Sequence, residues 1–112
     1  MTTRWCWLAL LLLAPTTVTA QSPDGKAVYE SNCKMCHGAT GVPVKAMQNM
    51  MPGIAAFDSV FVASHSEDSV VKVLMRGGKN MKSFKDKLSH AQMVAVAKYV
   101  RELARKGPPP GL

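Results

Sequence analysis

The chain has 112 residues, with 14 basic against 7 acidic side chains and a formal charge of +7. That length admits one domain, and the basic balance favours acidic proteins or anionic membrane surfaces as partners. Nucleic acid is excluded, because the basic residues are not interleaved with aromatics and the chain opens on an export segment.

Residues 1–20 have the three-part layout of a secretory signal peptide. Arg4 supplies the positive start, Trp5 to Ala14 is an apolar run rich in leucine, and Val18-Thr19-Ala20 places small residues before a cut ahead of Gln21. A membrane anchor needs about 20 apolar residues, and Pro15 with the threonines after it ends this run sooner. Cleavage is therefore expected, giving a periplasmic or secreted protein that is not transmembrane. It removes Arg4 and Cys6, so 112 residues less the first 20 leave 92, with a charge of +6 and Cys33 and Cys36 as the remaining thiols. A disulfide between those two would close too small a loop to staple a fold, so the pair is read as chemistry.

The first helix is predicted from about Ser22 to Cys36, with Ser22 as N-cap, Pro23 at the first helical position and Asp24 in the first turn. Gly25, Tyr29 and Cys33 repeat every four residues on one face. The helix runs into Cys33-Lys34-Met35-Cys36-His37. In C-x-x-C-H the two thiols project from nearly the same side of a turn, and the next imidazole is one step further round. Two thioether bonds and one iron bond can then come from five consecutive residues, the pattern of c-type haem attachment. The expected cofactor is one covalently bound haem c, with Cys33 and Cys36 as attachment residues and His37 as iron ligand. A zinc or dithiol site is the competing reading of C-x-x-C. A tetrahedral zinc site needs two further ligands, and no second cysteine pair exists. A domain of this size buries little apolar area by itself, and a haem supplies the missing core.

After the helix stop at Gly38, residues 38–64 read as an irregular loop punctuated by Gly41, Pro43, Pro52 and Gly53. So long a loop in a small domain is expected to wrap something, and a haem edge fits. A second helix is predicted over about 66–76, capped by Ser64 or Ser66, with Val70, Val71, Val73, Leu74 and Met75 on its apolar face and Gly77-Gly78 after it. The last helix opens on the capping box Ser89-His90-Ala91-Gln92. It carries Met93, Val96, Val100 and Leu103 along one side, with Gly107 and three prolines ending it. The domain is accordingly placed at 21–106 and a Pro-rich tail at 107–112.

An iron that only shuttles electrons has both axial positions filled. Met35 is too close in sequence to cross the haem plane. Met75 and Met93 fall on helix faces where methionine fills core, and Met47, Met50 and Met51 lie in the wrapping loop. Met81 sits in the Gly-rich stretch Gly77 to Phe84, which can carry a side chain over a flat cofactor. It is the expected second ligand, so the metal ligands are His37 and Met81, with His65 and His90 as alternatives.

Gly25 to Cys33, Cys36-His37-Gly38, Met81 with Phe84, and Ala97-Lys98-Tyr99-Val100 together resemble the small class I c-type cytochromes over about residues 23–104. The resemblance implies an all-α fold of three to five short helices around one haem, with the first and last helices crossing where Gly25 and Tyr29 meet Val96 and Tyr99. It implies attachment at Cys33 and Cys36, axial ligands His37 and Met81, and a one-electron carrier rather than an enzyme. Two departures from the family pattern stand out. Lys82 follows Met81 where many relatives have proline, and the proline carbonyl expected to accept from His37 could be that of Pro43 or Pro52, of which Pro52 is preferred. The expected partners are acidic redox proteins such as a dehydrogenase, an oxidase or another cytochrome, met by a monomer. Arg76, Lys79, Lys82, Lys85 and Lys87 face only Asp86 between residues 76 and 87, a local net charge of +4 beside Met81. The alternatives are a haem sensor or peroxidase-like protein with a displaceable sixth ligand, and a cytochrome subunit of a larger complex.

Overall fold

The computed structural model describes residues 13–17 and 22–107. Most of the predicted export segment, Cys6 included, lies outside the described residues, as do residues 108–112 of the predicted tail. Among the described residues the chain is helical without strands, in agreement with the all-α expectation. The helices are α1 Gly25–Asn32, α2 Lys34–His37, α3 Lys45–Met50, α4 Ser59–Ser64, α5 Glu67–Arg76 and α6 His90–Lys106. Six segments appear where three to five were expected, because the first predicted helix divides and the wrapping segment contains two short ones.

The division falls at Cys33, whose backbone (φ −119°, ψ −35°) departs from regular helix. Its N–H still closes α1 on the Tyr29 carbonyl at 2.8 Å, while its own carbonyl accepts from Cys36 and His37 at 3.2 and 2.9 Å. The chain thus re-aims at the first cysteine and starts a fresh turn. Gly38, at φ +82°, ends that turn as expected. The predicted cap Ser22 is replaced by Asp24, whose carboxylate accepts from Lys26 N–H at 3.0 Å. Aspartate caps as well as serine does, and this start makes Gly25 the first helical residue.

Residues 38–64 are not wholly irregular, contrary to expectation. Asp58 caps α4 by accepting from Phe61 N–H at 2.9 Å, and α3 forms without a side-chain cap. Between them the loop is pinned by Phe57 N–H donating to the Gly41 carbonyl at 2.8 Å. Ser66, rather than Ser64, caps α5. Ser89 and Gln92 form the predicted reciprocal capping box on α6.

α6 is the scaffold. It packs against α1, α4 and α5, and it buries Met93, Val96, Ala97, Val100 and Ala104. The core around it adds Val28, Tyr29, Cys33, Phe57, Val71, Leu74 and Leu88. At the crossing of α1 and α6, Gly25 lies so close that a Cβ there would overlap the Ala95 carbonyl and come within 3.1 Å of Tyr99 Cβ. The Tyr29 and Tyr99 rings pack at 5.3 Å. This is the expected helix pair, with Ala95 and Tyr99 meeting Gly25 on the α6 side. Met75, expected to fill core, is 45% exposed at the end of α5, whereas Met93 is 4% exposed and does fill it.

Candidate functional site

A cleft of about 580 Å³ opens beside this core and continues into a recess of about 170 Å³. Cys33, His37, Ala55 and Met81 line both. Cys36 is on the outer part, with Met51 and Pro52, while Phe57, Phe61, Leu74 and Val96 wall the recess. All four predicted site residues therefore face one cavity. α1 and α2 bring the cysteines and His37, and the loop between α5 and α6 brings Met81.

His37 is held from two directions. Its ring stacks on Phe57, with centroids 4.7 Å apart and planes 20° from parallel. Its Nδ1–H donates to the Ala55 carbonyl at 3.2 Å. This corrects the expected proline acceptor. Pro52 lines the cleft but does not receive this bond, and the Pro43 carbonyl accepts from Gln48 Nε2 at 2.7 Å. The loop instead turns through Met51–Ile54, closed by Ile54 N–H on the Met51 carbonyl at 3.0 Å, and brings the Ala55 carbonyl to the edge of the imidazole. With Nδ1 protonated, Nε2 is left as the lone-pair nitrogen, the form in which imidazole binds a metal. Burial pushes the His37 pKa below the ordinary histidine value, and the bond to Ala55 opposes this in part. Burial thus favours the neutral ring.

Cys33 is buried, and its thiol is pushed up to about 11, first by burial and then by the neighbouring Cys36, against a lowering by Lys87. The turn after His37 is fixed by Tyr29, whose hydroxyl donates to the Gly38 carbonyl at 2.6 Å. Burial raises the Tyr29 pKa, so the hydroxyl remains a donor.

Met81 is half-buried on a short strap. Gly78 N–H donates to the Met81 carbonyl at 2.9 Å, and Phe84 N–H returns to the Leu74 carbonyl at 2.7 Å. Gly77, at φ +79°, starts the strap where a Cβ would come within 2.8 Å of the Met81 carbonyl oxygen. Of the other candidates, His90 is exposed at the start of α6. His65 reaches the recess, stacked on Phe61 at 4.4 Å. Met51 lines the cleft, whereas Met35 and Met50 are 84% and 72% exposed.

Several residues that shape the site were not singled out from sequence. Phe57 and Phe61 form an aromatic series running from His37 to His65. Arg101 reaches from α6 to the carbonyls of Val62 and His65 and so pins the end of α4. The spacing of Phe57 and Phe61, four apart, was the one signal that could have marked a helical turn facing the cleft.

The residues present fit the haem that the C-x-x-C-H motif implies. The cavity lies within the roughly 300–1,000 Å³ of small-molecule and cofactor pockets. Its recess is almost wholly apolar, its rim carries two thiols, and the neutral imidazole and the thioether suit iron.

The family described as "Cytochrome C oxidase, cbb3-type, subunit III" matches residues 20–100. Cytochrome c6 of Thermosynechococcus vestitus is 30% identical over 105 residues, covering 91% of this chain and 90% of the relative. Cytochrome c6 of Synechocystis sp. is 32% identical over 98 residues, with 85% and 76% covered. Among solved structures, the KustC0563 c-type cytochrome superposes with a TM-score of 0.66 at 28% identity, covering 74% of this chain and all of that one. Sequence motif, helical fold, cleft and relatives converge: the chain belongs to the small class I c-type cytochromes, which carry covalently attached haem and transfer electrons rather than catalyse a reaction.

Proposed function

We propose that the protein is an exported one-electron carrier with His37 and Met81 as the axial ligands of a single haem. The observation that carries this reading is that His37 and Met81, from separate elements, line the same cleft as Cys33 and Cys36. Bound haem supplies a one-electron iron couple. Cys33 and Cys36 would tether it, and Tyr29 holds the turn that follows them. Ala55 fixes the His37 tautomer, so that Nε2 is presented as a lone-pair donor. Phe57 covers the other side of the imidazole and, with Phe61 and Leu74, keeps water from the recess. As a soft ligand, the Met81 thioether would favour the reduced state and give a higher potential than a second imidazole would.

Partners would meet the exposed cationic run Arg76, Lys79, Lys82, Lys85 and Lys87, of which Lys79 and Lys82 also line the mouth of the cleft. An acidic surface around the partner's redox centre complements that charge and steers the encounter. Export rests on the signal-like residues 1–20. No helix among the described residues is long and apolar enough to cross a membrane.

A carrier with both axial positions filled differs from a sensor or peroxidase-like protein in how it meets small ligands. The purified reduced protein should be low-spin and should not take up carbon monoxide at neutral pH. A high-spin spectrum with ready uptake would overturn the carrier reading in favour of an open site.

A further inference from the structure

The strap that carries Met81, residues 77–84, contains no proline, so no ring fixes its backbone φ. What holds the strap instead is the end of α5. A helix leaves its last carbonyls without partners inside the helix. Here those of Val73, Leu74 and Met75 are taken up in turn by Gly77 N–H at 2.7 Å, Phe84 N–H at 2.7 Å and the Ser83 hydroxyl at 2.5 Å. Both ends of the strap are thus fastened to one helical turn. The Ser83 oxygen also accepts from Lys85 N–H at 3.3 Å, which orients the hydroxyl to donate to Met75. Ser83 does not line the cleft, but its chain neighbours Lys82 and Phe84 do.

We infer that Ser83 is a positioning residue for Met81. Its hydroxyl latches the strap to α5 and keeps the thioether at the cleft, taking over the restraint that a proline at position 82 would supply. The inference rests on Met81 being the second axial ligand. Ser83 itself does not line the cavity. Losing the latch should raise the population of the open strap about fivefold, the usual worth of one solvent-accessible hydrogen bond.

Imidazole reads that population directly, because it binds the iron of the oxidised, haem-loaded protein only when the strap is open. Its apparent Kd, followed by the Soret shift, should tighten about fivefold in Ser83→Ala. Ser83→Thr, which keeps the hydroxyl, should restore the wild-type value. Met81→Ala should tighten binding further, and adding Ser83→Ala to it should then change nothing. If Met81→Ala tightens binding while Ser83→Ala matches wild type, the latch is refuted and the ligand stands. A lower Tm in Ser83→Ala with unchanged imidazole affinity would make Ser83 merely structural and refutes the latch equally. If Met81→Ala leaves the affinity unchanged, the ligand assignment fails and the latch falls with it.

Discussion

His37, the proposed iron ligand, is prepared for that role by the residues packed around it. The Ala55 carbonyl selects the tautomer, the Phe57 ring fixes the plane, and burial makes the protonated ring unfavourable. A histidine whose folded pKa lies below its unfolded value binds fewer protons when folded. The stability it contributes is full above the unfolded value, and it is lost as pH falls through the folded one. Iron ligation acts in the same direction, since only the neutral ring binds. The native absorption spectrum of the haem-loaded protein should therefore persist below pH 6.5, the ordinary histidine value, and disappear only on further acidification. A transition centred at or above that pH would contradict this account of the ring. The candidate ligand was named from five consecutive residues. Its hydrogen-bond acceptor was not, because a backbone carbonyl is chosen by the path of a loop, and Pro43, Pro52 and Ala55 carry no side-chain mark to separate them.

At the scale of elements, the crossing of α1 and α6 holds the C-x-x-C-H turn against the rest of the fold. Gly25 is there because the two backbones nearly touch. Alanine would be the better helix former in isolation by about 1 kcal/mol. In this position its Cβ meets the Ala95 carbonyl, which belongs to a helix backbone and cannot rotate aside. Gly25→Ala is expected to destabilise the protein by about 1–3 kcal/mol, lowering Tm by at least about 4 °C for a domain of this size. An unchanged or raised Tm would show that the crossing is looser than the structure indicates. The helices that were legible in sequence are the ones with both a cap and a long apolar stripe. α5 begins at Ser66 and α6 at the Ser89–Gln92 box. α3 and α4 escaped because six residues make fewer than two turns, too few for a period to emerge, and α3 has no side-chain cap at all. The break at Cys33 was hidden for another reason. Helical spacing runs straight through the motif, and only the packing of Tyr29 and the turn at Gly38 demand a change of direction.

For the molecule as a whole, the cleft and the core are parts of one design. A domain this small is short of apolar area to bury. Here the recess opens directly onto the core residues Cys33, Phe57, Leu74, Val96 and Val100. A haem seated there would complete that core, so cofactor binding and folding are coupled. Lys79 and Lys82 line the strap side of the same cleft, where the proposed partner surface would lie. The family could be read from the motif, the order of elements and the terminal helix. The proposed second ligand rested on a subtler cue, a methionine in a Gly-rich stretch between two helices, and that residue lines the same cleft as His37. The most direct test of the His37–Met81 carrier is the oxidised absorption spectrum of the wild-type protein beside that of Met81→Ala. The wild type should show the weak methionine–iron charge-transfer band, and the variant should lose it. Survival of the band in Met81→Ala would assign the sixth position to another residue.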